Sequence, residues 1–172
     1  SVPGAAACIT ALTMSGLGTR RFAFEAFLPY DKKERAQILE NLRNETRTII
    51  IYEAPHHLKK TLKECREYLG NRNMTVCKEL PKRSEQKRKS TLDEMIAYYE
   101  DNEPRGEYVL IFEGKSLQEL KEEKQQEWNQ LTVQEHMEHY LEKGMDKKSA
   151  MKQVAKDRGV SKRDIYQELL KE

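Results

Sequence analysis

Up to about residue 114 the apolar positions switch between two rhythms, short continuous runs and helical spacing; beyond residue 131 only the helical rhythm remains. Ala5 to Ser15 reads as a helix closed by Gly16 and Gly18. Phe22–Phe27 reads as a strand ended by Leu28-Pro29, and Asp31 then caps a helix to about Asn44 with Ala36, Ile38, Leu39 and Leu42 on its apolar side. Thr48-Ile49-Ile50-Ile51-Tyr52 is short, β-branched and aromatic, the mark of an interior strand. Pro55 suits the first turn of the next helix, which carries Leu58, Leu62, Cys65 and Leu69 on one face and stops at Gly70. Met74–Cys77 is a further strand, Thr91 caps a helix through Tyr99, and Tyr108–Phe112 is a last buried strand. This alternation predicts a layered α/β domain over 1–114, with Thr48–Tyr52 and Tyr108–Phe112 central.

From Lys115 to Gln130 the chain turns polar around its lone Trp128, a charged linker expected to be helical in part. Residues 131–172 then predict a separate all-α unit. Thr132 with Glu135 forms a capping box, Gly144 stops that helix, and a second helix runs from Asp146 to Arg158. Gly159-Val160-Ser161 makes a tight turn, and Ser161 with Asp164 caps a third helix bearing Ile165, Tyr166 and Leu169. Ala155, Gly159, Val160 and Ile165 are spaced as a helix-turn-helix requires, with Lys162 and Arg163 at the exposed start of its second helix. The unit carries nine basic and eight acidic residues, so a helical tail that serves only stability is the competing reading.

Composition narrows the classes. Of 172 residues 35% are charged and 37% hydrophobic, enough for one core and a small satellite. No apolar run approaches the ~20 residues of a membrane span, so no membrane partner is expected. Cys8, Cys65 and Cys77 are odd in number and lack a CxxC pair, as in a cytoplasmic protein with reduced thiols and no zinc. The chain begins Ser1-Val2-Pro3-Gly4 without Met, as expected of a piece cut from a larger protein, with Ser1 a cloning remnant. Net charge is only +2, yet Lys78 to Thr91 holds six basic residues against Glu79 and Glu85. Such a loop suits phosphates, and a solvated charged loop is the plainer alternative.

Candidate chemistry lies beyond the strand ends, where open α/β sheets place their ligands. Tyr52-Glu53-Ala54-Pro55-His56-His57 follows one strand and Glu79-Leu80-Pro81-Lys82 another, which would set Glu53, Glu79 and Lys82 on one rim. A carboxylate beside a lysine can take the proton of a weak nucleophile such as a hydroxyl; a structural ion pair is the alternative. Adjacent His56 and His57 face different ways and cannot form a zinc pair. His136 and His139 are three apart among glutamates, more simply a solvated face than a metal pair. No Walker loop, GxGxxG or Ser/His/Asp order occurs.

Val2-Pro3-Gly4, Arg21–Pro29, Tyr52-Glu53-Ala54-Pro55-His56, Glu79-Leu80-Pro81-Lys82, Thr91-Leu92 and Gly106–Leu110 follow one another in the order and spacing of a known family. In these motifs the chain resembles the bacterial 16S rRNA 2′-O-cytidine methyltransferases of the tetrapyrrole methylase superfamily. The resemblance implies the C-terminal half of a two-lobed unit, a mixed sheet with flanking helices, followed by a small helix-turn-helix-like domain. It implies S-adenosylmethionine in the cleft between lobes, with Tyr52, Glu53, Leu80 and Pro81 beside the adenosyl group. It also implies 16S rRNA as partner, contacted through the basic segment Lys82, Arg83, Lys87, Arg88 and Lys89; Lys162 and Arg163 of the tail are expected to join them, Glu79 or Lys82 is expected to help proton transfer, and a homodimer is an open assembly state. The sequence departs from the family at Ala26, where a glycine is usual, at His57 in place of arginine, and at Pro81 in place of threonine. A tetrapyrrole methyltransferase and a non-enzymatic nucleic-acid-binding regulator are the alternatives, and the basic segment and tail weigh against the first.

Overall fold

The computed structural model describes residues 4–80 and 85–170. Its elements are α1 (Ala7–Ser15), β1 (Phe22–Phe27), α2 (Lys32–Leu42), β2 (Thr48–Glu53), α3 (Pro55–Leu69), β3 (Asn73–Lys78), β4 (Gln86–Thr91), α4 (Leu92–Asp101), β5 (Tyr108–Phe112), α5 (Leu117–Asn129), α6 (Val133–Glu142), α7 (Lys147–Arg158) and α8 (Lys162–Leu169). They form two compact units that divide after Lys115.

The first unit is built on a five-stranded sheet of order β1-β2-β5-β3-β4. Only β1 and β2 run parallel; the other neighbours are antiparallel, so the sheet is mixed. The central strand β5 is buried along its whole length, as its unbroken apolar run predicts. Alternation along the strands divides the core in two. Ile49, Ile51, Met74, Val76, Leu110 and Phe112 face a cluster shared with α2, α3 and α4. Ile50, Cys77, Val109 and Ile111 face α1 on the other side. Transfer of such side chains from water is worth about 1.5–3 kcal/mol each before chain entropy is subtracted.

Polar residues set the helix boundaries. The Asp31 carboxylate accepts from the N–H groups of Lys33 and Glu34, and Thr91 and Glu94 close a reciprocal capping box on α4. Gly16 ends α1 in the left-handed conformation. Two findings differ from the sequence expectations. Gln86–Thr91, expected within a basic loop, is the edge strand β4 paired along β3. Ladder pairing uses only backbone groups, so a strand without apolar side chains forms as readily at an edge. Residues 117–129, expected within a linker, form helix α5, capped by Ser116 and Glu119 and belonging to the second unit.

In that second unit every described element is a helix. Val133, Met137, Ala150, Val154, Ala155 and Ile165 make its core. Gly159, at φ 66°, turns the chain between α7 and α8, and the Val160 N–H donates to the Ala155 carbonyl at 3.0 Å. Among the described residues no helix is long and apolar enough to cross a membrane.

Candidate functional site

The carboxyl ends of β2 and β3 do reach one edge of the sheet. Glu53 on β2 and Lys78 on β3 both stand opposite Tyr108, the first residue of β5. One strand therefore separates the two ends, about 10 Å at the usual strand spacing. Alternation then splits neighbours between the two faces: Tyr52 packs with the α1 cluster, whereas Glu53 points among α2 and α3.

Glu53 is buried in a polar network. Its Oε2 accepts from the Thr61 hydroxyl, its Oε1 accepts from the Ala54 N–H at 2.8 Å, and the Arg35 guanidinium lies 3.9 Å away. Arg35 donates to the Thr61 hydroxyl at 2.6 Å and to Glu64 at 2.5 Å. Both Glu53 oxygens thereby accept a hydrogen bond, and two nitrogens of Arg35 donate one, as a buried ion pair requires. The network floors a cavity of about 90 Å³ walled by Leu28, Tyr30, His57 and Lys60. This is the face opposite Tyr52 and Leu80, so of the described residues expected beside an adenosyl group Glu53 does not share a wall with the other two.

Tyr52 and Leu80 do belong together. Both sit in the cluster with Ala7, Cys8, Ala11 and Leu12 of α1. The Cys8 N–H donates to the Tyr52 hydroxyl at 3.0 Å, which ties the first turn of α1 to the end of β2. Burial raises the Tyr52 phenol above its ordinary value. Phe24 and Phe27 meet the Tyr52 ring edge-on, with centroids 5.0 and 5.5 Å away, yet are 45% and 62% exposed. An aromatic surface therefore runs from Tyr52 to the outer edge of the sheet.

Glu79 follows β3 at φ 60°, a conformation unusual for a residue with a Cβ. Its N–H donates to the Glu107 carbonyl at 3.0 Å, and its Oε1 accepts from the Glu107 N–H at 3.1 Å. It thus fastens the loop before β5. Pro81, Lys82 and Arg83, the other residues named for cofactor, proton transfer and RNA, lie outside the described residues.

The cations of β4 divide between the faces of the sheet. Lys87 donates to the Met14 carbonyl at 3.3 Å, and the Lys89 ammonium comes close to Gly16, so both meet the negative end of α1. Arg88 points the other way and stacks 3.7 Å over the Tyr98 ring. In the second unit Lys162 and Arg163 are exposed on the first turn of α8.

The histidines are packed against rings. His56 lies 4.2 Å from His57, which meets Tyr30 edge-on. His136 is fully buried and stacks on Trp128 at 3.9 Å, its Nδ1 accepting from Arg158 Nε at 3.2 Å. Burial of Cys77 pushes its thiol up to about 11, and burial of Cys65 pushes that thiol to about 12, so neither offers a thiolate near neutral pH.

Arg35, Thr61, Tyr98 and Gly106 were not picked out as site residues in the sequence. Arg35 could have been: with Leu39 and Leu42 it follows the helical spacing of a buried face, where an arginine needs a partner.

No family model matches the chain. It is similar to proteins named Ribosomal RNA small subunit methyltransferase I: 44% identical over 165 residues to that of Bacillus subtilis, 45% over 165 residues to that of Halalkalibacterium halodurans, and 38% over 167 residues to that of a Synechocystis strain. Each match covers 96% of this chain and 56%, 56% and 58% of the relative, so the chain spans little more than half the length of the curated relatives it matches.

Proposed function

The chain belongs to the family of ribosomal RNA small subunit methyltransferase I, and from that premise we propose that the whole protein transfers a methyl group to 16S rRNA, at the ribose 2′-hydroxyl of a cytidine. The observation that carries the reading is 44% identity extending through 96% of the chain. S-adenosylmethionine is the proposed donor, and it supplies an activated methyl on a sulfonium when bound.

The residues at hand suit one wall of such a site. Tyr52, Leu80 and the first turn of α1 offer an aromatic and apolar surface for an adenosyl group, and a ring face attracts a sulfonium. Glu53 does not fit that role, because Arg35, Thr61 and Ala54 already engage its carboxylate on the opposite face. A 2′-hydroxyl is a weak nucleophile, so rate depends on aligning it and on removing its proton as the oxygen–carbon bond forms. Glu79 is bound to the 106–107 loop and takes a positioning role in the proposal; Lys82 is left as the residue proposed to assist the proton. The cations Arg88, Lys162 and Arg163 are proposed to meet rRNA phosphates. Small ribosomal subunits as substrate imply a cytoplasmic setting.

The test incubates the full-length protein with small ribosomal subunits and isotopically labelled S-adenosylmethionine, then digests the rRNA to nucleosides. Labelled 2′-O-methylcytidine is expected. Label on a base, or none in rRNA, would overturn the reading.

A further inference from the structure

The sheet face opposite α1 carries a second cavity, at the free edge of the sheet and apart from the Tyr52–Leu80 wall. It measures about 290 Å³ and lies between β3, β4 and α4. Pairing of Lys78 with Gln86 and of Val76 with Arg88 puts these four side chains on one face, under Tyr98 and Tyr99 of α4. Lys87 contributes to the lining, but its ammonium is turned to the other face and donates to Met14.

Its chemistry is mixed in a specific way. Among the described residues no carboxylate pairs with Lys78 or Arg88, although 29 acidic residues occur in the chain. The Arg88 guanidinium lies over the Tyr98 ring, 3.7 Å from its centroid, and Tyr98 in turn meets Tyr99 edge-on at 5.0 Å. Tyr99 is backed by Tyr108 at 6.0 Å, so the aromatic base is anchored in the core. A guanidinium fixed in this way offers a flat face for stacking and N–H groups at its edge for a phosphate. The volume is near the lower end, about 300 Å³, of sites that hold small molecules.

We propose that this cavity takes one unpaired nucleotide of the rRNA substrate, with its phosphate on Lys78 and Arg88 and its base stacked on the Arg88–Tyr98 pair. Unpaired bases are read by proteins through aromatic and arginine planes, and a duplex hides those base faces. An acidic peptide would use the two cations but leave the stacked plane without a purpose. The assignment rests on the rRNA reading and adds Lys78, Gln86, Tyr98 and Tyr99 to the residues that reading names.

Fluorescence anisotropy of a labelled single-stranded RNA oligomer, drawn from the small-subunit rRNA and titrated with the intact protein, tests it. Arg88→Ala is expected to weaken binding about tenfold, through lost stacking and a lost phosphate contact. Lys78→Gln should weaken it several-fold and lower the slope of log K against log salt by about 0.7. Arg88→Lys keeps the charge and the fold, and binding should fall between Arg88→Ala and the parent protein. Lys33→Gln, which removes an exposed cation of α2 away from the cavity, should stay within about twofold. If the parent protein binds RNA and Arg88→Ala and Lys78→Gln bind it equally well, the cavity assignment fails while the rRNA reading stands. If the parent protein binds no small-subunit rRNA, both fall. Inorganic polyphosphate binding as tightly as RNA of equal charge, with no loss in Arg88→Lys, would overturn the stacking.

Discussion

The Glu79 carboxylate fills the space that a side chain at residue 106 would need. A Cβ built on Gly106 would lie 1.8 Å from Glu79 Oε1, and Gly106 itself stands at φ 82°. With the Glu107 N–H donating to Glu79, the pair fixes where β5 begins. Gly106→Ala is therefore expected to cost about 2 kcal/mol, read as a lower urea midpoint at unchanged slope. Glu79→Gln keeps an acceptor for the Glu107 N–H and should hold methyl transfer within about threefold, whereas Glu79→Ala releases the loop and lowers it at least tenfold. A tenfold loss in Glu79→Gln would instead make the charge itself a participant.

Arg35 and Glu53 depend on each other. Arg35→Met leaves a carboxylate that is 5% exposed without its cation, and about 3–5 kcal/mol of stability should go with it. Thr61→Val removes the hydroxyl that stands between them and should cost about 1–3 kcal/mol. Chemical denaturation gives both values. The Arg35→Met/Glu53→Gln double variant should lose less than the sum of the single losses, since the residues share one network.

Ala26 is strained. It sits at φ 53° where the register of β1 against β2 shifts between Phe24 and Ala26, a bulge that suits glycine. Ala26→Gly is expected to raise stability by roughly 1 kcal/mol, the left-handed penalty less the added chain entropy of glycine. A denaturant midpoint unchanged or lowered would show that the bulge carries no such strain.

The second unit should loosen in mild acid. His136 Nδ1 accepts from Arg158, and Nε2 stands 3.4 Å from Asp157 without a hydrogen bond. Burial, and then the Arg158 charge, hold the imidazole below its ordinary 6.5. The folded form therefore favours neutral His136. Its contribution to stability is complete above pH 6.5 and is lost as pH falls from there through the lowered folded value. Trp128, stacked on this ring, reports the change: its emission at a fixed urea concentration should shift toward the unfolded value below pH 6.5. His136→Phe removes that pH dependence and keeps a ring against the indole.

Helix caps and buried strands were legible in the sequence because each has a local chemical cause. Asp31, Thr91, Thr132 and Ser161 all cap as their spacing predicts, and β2 and β5 lie centrally as their apolar runs predict. β4 was hidden because Gln86-Lys87-Arg88-Lys89-Ser90-Thr91 contains no apolar residue, and its partner β3 supplies what holds it. α5 was expected only as part of a partly helical linker, because none of its residues is buried to mark it as belonging to the second unit. At the site, the sequence placed the ends of β2 and β3 on one rim but left open which way their side chains turn. A step of one residue reverses the face, and this separates Tyr52 from Glu53.

The two margins of the sheet differ in kind. β1 presents Phe22, Phe24 and Phe27 to solvent, and β4 presents Lys87, Arg88 and Lys89. A strand added beside β1 would meet aromatic rings, whereas one added beside β4 would meet a row of like charges, so the β4 margin is the better guarded against unwanted pairing.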